Sequence, residues 1–152
     1  MTVTTGQANK TAGVITGVHH VNLLVRDLEQ AMASYRAQLG VDDFIVASLA
    51  GRGVRTARFK AGETWIVLVQ PVAEGEPMRQ LRERGEGLFL LSFAVDDLEA
   101  ASATVLAGGG SFTSDTPRRG LADWEVIDLE PAHIHQAPLQ LTNLVADNGG
   151  VS

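Results

Sequence analysis

The chain has 152 residues, 45% hydrophobic and 20% charged, which bounds it to one globular domain of ordinary size or two small halves sharing a core. A formal net charge of −6 argues against a nucleic-acid partner, because phosphate binding needs clustered positive charge. The absence of cysteine excludes disulfides, thiolate metal sites and cysteine nucleophiles, and no stretch is apolar enough for a signal peptide or a membrane span, so a cytoplasmic location and no membrane partner are expected.

Taken in chain order, residues 1–13 read as a disordered tail, residues 14–74 as a first module, 75–86 as a linker, 87–144 as a second module and 145–152 as a second disordered tail. Val18–Val25 alternates as a strand. A helix follows, with Asp27 as N-cap, Gln30 three residues on, Leu28, Ala31, Met32, Tyr35 and Leu39 at helical spacing, and Gly40 as a left-handed stop. Strands are predicted at Phe44–Leu49, Val54–Phe59 and Thr64–Gln70, parted by Gly51-Arg52-Gly53 and Ala61-Gly62 turns and ended by Pro71, which cannot donate to a ladder. Pro77 opens a short helix over Glu76–Arg84 in the linker. The second module begins with a strand at Leu88–Val95, continues with a helix from Asp97 to the Gly108-Gly109-Gly110 run, and closes with strands at Gly110–Ser114, Trp124–Leu129 and Pro138–Asn143.

The two modules repeat one pattern. Val25–Glu29 (VRDLE) matches Val95–Glu99 (VDDLE) at an offset of 70 residues, which also carries Leu28 onto Leu98, Ala31 onto Ala101 and Gly40 onto Gly110. The order is βαβββ twice, an α+β class.

The segments HHVNLLVRDLEQAMASYRAQLG, TWIVLVQP, GEGLFLLSFAVDDLEAA and DLEPAHIHQAPLQLTN resemble the vicinal oxygen chelate superfamily (glyoxalase, bleomycin-resistance and extradiol-dioxygenase folds), and within it the methylmalonyl-CoA epimerase-like members. The resemblance implies an open, curved mixed sheet of two βαβββ modules around a cavity, assembled as a homodimer. It also implies a divalent metal held by one residue from each of four strands. Those four positions fall on His20, Val67, Leu90 and Gln140, of which only His20 is a good ligand for a hard cation. The metal is therefore expected to be lost, leaving no cofactor. A rebuilt site would draw on His133, His135 or Glu63 together with His20.

If those four positions face the cavity, strand parity adds their neighbours two residues away. The lining then includes Asn22, Leu24, Trp65, Val69, Leu88, Ser92, Ala94, Pro138 and Thr142, with His19, Val21, Leu23 and Val25 turned under the helix. His20, Asn22 and Gln140 are the candidate catalytic residues; Trp65, Val67, Leu90, Ser92, Trp124 and Thr142 are candidates for substrate binding. Trp124 reads either as a packing residue at the rim or as a lid. Arg118 and Arg119 read either as a solvated turn or as an anion contact. Asp128 and Glu125 are possible bases of unknown facing, and Arg79, Arg82 and Arg84 read as a solvated helix face. No Ser-His-Asp constellation is visible, and Gly108–Gly110 follows a helix, unlike a phosphate loop. The reading this supports is a metal-independent isomerase, lyase or cyclase on a small, largely apolar carbonyl compound, with His20 as acid/base or polarising donor. The alternative is a non-catalytic, antibiotic-type binding protein of the same fold.

Overall fold

The computed structural model describes residues 13–144; the two tails expected at 1–13 and 145–152 fall, Gly13 apart, outside the described residues. In chain order the elements are β1 (Ile15–Leu24), α1 (Leu28–Leu39), β2 (Ile45–Leu49), β3 (Val54–Ala61), β4 (Thr64–Pro71), α2 (Glu76–Arg84), β5 (Gly87–Val95), α3 (Leu98–Ala107), β6 (Arg118–Arg119), β7 (Glu125–Asp128) and β8 (Leu139–Asn143). They form one eight-stranded sheet in the order β2-β3-β4-β1-β5-β8-β7-β6. Within each module the last strand runs parallel to the first, β4 beside β1 and β8 beside β5. The modules join through the antiparallel β1–β5 pair. This is the mixed, curled α+β sheet that the resemblance to the glyoxalase-type superfamily implies, with the βαβββ order of the repeat.

Local chemistry explains the helices. The Asp27 carboxylate accepts from the Gln30 amide at 2.9 Å, and the Asp97 carboxylate accepts from the Ala100 amide at 3.0 Å, so each helix starts on a satisfied donor. Gly40 stops α1 at φ 71°, a backbone conformation open to glycine without steric cost. Both helices cover the outer face of the sheet. Leu28 and Met32 pack on Val25, Ala57 and Leu68 in the first module; Leu98 and Ala101 pack on Val95, Ile127 and Leu141 in the second. Leu28 and Leu68 are completely buried, each stabilising the fold by about 1.5–3 kcal/mol. The alternate residues of the same strands face inward.

Three expectations need correction. Gly110–Ser114 is not a strand: Phe112 alone forms a bridge to Leu129, and the edge strand is the two-residue β6. The Ser114 hydroxyl donates to the Thr116 carbonyl at 3.0 Å, which turns the chain, and Pro117 has no amide to pair, so pairing resumes only beyond it. Leu88, placed in the cavity by parity, is 55% exposed at the start of β5. His19 does not lie under α1. The β1–β5 register slips between Val18 and His20, so His19 is the extra residue of a β-bulge, and its ring reaches Trp124.

Candidate functional site

The strand registers assemble the site in rows. Trp65 on β4, His20 on β1, Ser92 on β5, Gln140 on β8 and Asp128 on β7 are successive cross-strand neighbours. A parallel row runs Arg58, Val67, Asn22, Leu90. A cavity of about 60 Å³ opens on the inner face beside these rows.

His20, Asn22, Val67, Leu90, Trp124 and Gln140 all line this cavity. The other candidates do not. Ser92 and Thr142 are fully buried and hydrogen-bond each other at 2.5 Å, which satisfies both hydroxyls inside the sheet. Trp65 packs in the inner core, with the Arg58 guanidinium carbon 5.0 Å from its ring centroid. Sequence reasoning missed Arg52, read there as part of a turn: a single 3-10 turn over Ala50–Arg52 carries it into the cavity wall. The glycines flanking it were the available signal, because they mark a tight turn that aims the one side chain between them. Arg118 also lines the cavity, so its place at an anion contact is geometrically open.

His20 is 3% exposed. Its Nδ1 lies 2.9 Å from Nδ1 of His19, so one ring donates and the other accepts. With His19 donating, His20 carries its hydrogen on Nε2, available to a ligand. Trp124 stacks on the His20 ring at 4.7 Å and 25°, while the His19 ring meets the same indole edge-on at 4.6 Å. Burial, then the neighbouring His19, pull the His20 pKa down to about 3, with Gln140 working against that shift and Arg118 adding to it. Burial and then Lys60 lower His19 as well. The pair is neutral at physiological pH.

Gln140 bonds to its cross-strand neighbour on β7. Its amide nitrogen donates to Asp128 at 2.8 Å, and the other carboxylate oxygen of Asp128 accepts from Arg118 at 2.5 Å. Because Asp128 takes the amide nitrogen, the Gln140 Oε1 must face away from it; that oxygen is buried without a partner among the described residues, as is Asn22 Oδ1. Buried acceptors of this kind are costly unless something donates to them. Trp124 follows two residues held in left-handed backbone, Ala122 at φ 48° and Asp123 at φ 64°, so the roof of the site rests on a strained loop.

The residues present do not suit the divalent metal that the resemblance implies. Val67 and Leu90 have no donor atom, Gln140 offers only a neutral carbonyl oxygen, and the Arg52 and Arg118 guanidinium groups border the same space. Among the described residues no group of three or more histidines or carboxylates is placed to hold a metal ion, so Glu63, His133 and His135 do not rebuild a site with His20. His133 instead bonds the Ser111 hydroxyl at 2.9 Å on the surface.

A duplicated βαβββ sheet with a central seam and a one-sided cavity defines the glyoxalase-type class of small-molecule proteins. The chain belongs to the Glyoxalase/Bleomycin resistance protein/Dioxygenase superfamily, whose model matches residues 19–127. It is 28% identical over 131 residues to the ethylmalonyl-CoA/methylmalonyl-CoA epimerase of Cereibacter sphaeroides, covering 84% of this chain and 98% of that one. Among solved structures it resembles the Streptomyces coelicolor methylmalonyl-CoA epimerase in complex with 2-nitronate-propionyl-CoA (26% identity, TM-score 0.82, 88% of this chain and 100% of that one). It also resembles the methylmalonyl-CoA epimerase of Mycobacterium tuberculosis (25% identity, TM-score 0.83, 92% and 95% covered). No helix among the described residues is long and apolar enough to cross a membrane.

Proposed function

We propose that this chain is an isomerase-type enzyme acting on a small carbonyl compound without the family's divalent metal. The carrying observation is the neutral His20 imidazole, buried, oriented by His19 and stacked under Trp124 at the polar edge of the cavity. A group whose pKa lies near 3 is a weak base at neutral pH, so the reading narrows from acid/base catalyst to polarising donor. Nε2–H of His20 hydrogen-bonds the substrate carbonyl oxygen and strengthens that bond as the oxygen gains charge, the α-proton passing to water in the cavity because no lining side chain among the described residues serves as the base. A neutral imidazole is better matched to such an oxygen than an imidazolium that must first be paid for by burial. The cavity volume admits a short acyl group, and the epimerase relatives support the reaction class. The small-molecule ligand, a homodimeric assembly and a cytoplasmic location belong to the same reading.

A second reading, a non-catalytic binding or resistance protein, is favoured by one observation: among the described residues none that lines the cavity is a carboxylate that could remove the α-hydrogen. Deuterium exchange at the α-carbon of methylmalonyl-CoA in D2O, with chelator present, separates the two. The enzyme reading expects exchange by the chelator-treated protein and a fall of roughly 100-fold or more in His20→Ala, with affinity little changed. Unaltered exchange in that variant removes His20 from the chemistry, and exchange that needs added divalent metal removes metal independence.

A further inference from the structure

We infer that Arg52 is the anion-binding residue of the cavity, and that the ligand is a carbonyl compound bearing both a carboxylate, seated on Arg52, and a hydroxyl turned to Gln140 and Asn22. This names the substrate class of the site proposed above and rests on that reading.

The first half follows from unbalanced charge. Arg118 is taken up by Asp128, and the nearby Glu76 is paired with Arg79. Among the described residues Arg52 enters no ion pair within 4.0 Å, although its side chain is half buried and borders the cavity. Burial and then the adjacent Arg118 guanidinium act to lower its pKa, while Asp128 and Glu76, already bonded to Arg118 and Arg79, act to raise it, so three guanidinium groups are set against two carboxylates. A guanidinium fork matches a carboxylate in two parallel hydrogen bonds, and partial burial strengthens them. The placement is built in. Gly53 closes the turn at φ 67° with its amide bonded to the Ala50 carbonyl at 3.0 Å, and a Cβ there would sit 3.0 Å from that of Ala73.

The second half follows from polarity of the opposite kind. Gln140 is 2% exposed, and among the described residues its Oε1 and the Asn22 Oδ1 have no donor in good hydrogen-bond geometry, the His20 ring making only a weaker approach to Gln140. Both line the same cavity as Arg52. A ligand that only accepts hydrogen bonds leaves both bare; a hydroxyl, with its one hydrogen, satisfies one of them. A cationic donor would meet the Arg52 and Arg118 charges, so a neutral hydroxyl on an anionic molecule is the combination that fits.

The test uses the whole protein and tryptophan fluorescence, since Trp124 lines the cavity, with lactate, propionate and methyl lactate as probes at constant ionic strength. Lactate is expected to bind tightest, propionate several-fold weaker for want of the hydroxyl, and the uncharged ester weakest. Arg52→Gln is expected to weaken lactate roughly tenfold or more, with Arg52→Lys intermediate because it restores charge without the fork. Equal binding of acid and ester overturns the inference, as does wild-type affinity in Arg52→Gln or failure of all three probes to bind. If Arg52→Gln does not fold, the comparison of acid and ester on the unaltered protein decides. Arg52-dependent lactate binding without any α-hydrogen exchange leaves this inference standing and refutes the catalytic reading; exchange without Arg52 dependence does the reverse.

Discussion

In the first module Asn22, Val67 and Arg58 lie side by side across β1, β4 and β3; in the second, Ser92, Gln140 and Asp128 take the same three places across β5, β8 and β7. The outer faces of the two modules have stayed alike. Leu68 and Leu141 sit one position on under their helices, and Gln70 and Asn143 each use a side-chain oxygen to accept from the first-turn amide, that of Leu28 at 2.9 Å and that of Leu98 at 3.1 Å. The inner faces have parted. One wall is aliphatic with an arginine held between Trp65 and Trp124, and the other is a chain of charge-assisted hydrogen bonds. Packing under a helix tolerates few alternatives, since cavities and overfilling both cost stability. A cavity wall answers only to its ligand.

If the outer faces are equivalent, they must fail alike. Leu68→Ala and Leu141→Ala are each expected to lower stability by about 2–5 kcal/mol in urea unfolding. A cost confined to one of them would show that a single module carries the fold.

The inner faces should separate by pH. The folded-state pKa of His20 is lowered, so between about 6.5 and about 3 the unfolded chain binds the proton and the native one does not. Its contribution to stability is therefore complete above 6.5 and falls with acidification by up to about 1.4 kcal/mol per pH unit. His20→Asn should flatten that slope between pH 6 and 4; an unchanged slope would locate the acid sensitivity elsewhere.

The smallest effect is at the helix starts. Asp27→Ala and Asp97→Ala should each cost about 1 kcal/mol, read as a similar fall in melting temperature. A difference of more than about twofold would mean that the two caps are no longer equivalent.

Much of this plan was legible in the residues. The repeat and the caps are local signals, and Val67 and Gln140 could be placed because β4 and β8 pair regularly with their neighbours. Where pairing is irregular, parity misled. One extra residue in β1 brought His19 to the wrong face, and the β5 start left Leu88 in solvent. Ser92 and Thr142 faced inward as expected but close on each other, a contact between residues 50 apart in sequence that no spacing reveals. Arg52 escaped notice because a turn residue declares its direction only through backbone angles.

The slip at His19 has a consequence for how this strand can vary. Val18 pairs with Phe93 and His20 with Ser92, so His19 is supernumerary to the ladder. A chain one residue shorter at this point would pair without this slip, keep His20 in its cavity and yet lose the imidazole that orients it. The doublet is thus an inserted part as much as a chemical one, and an alignment gap of a single residue would be enough to mark relatives that do without it.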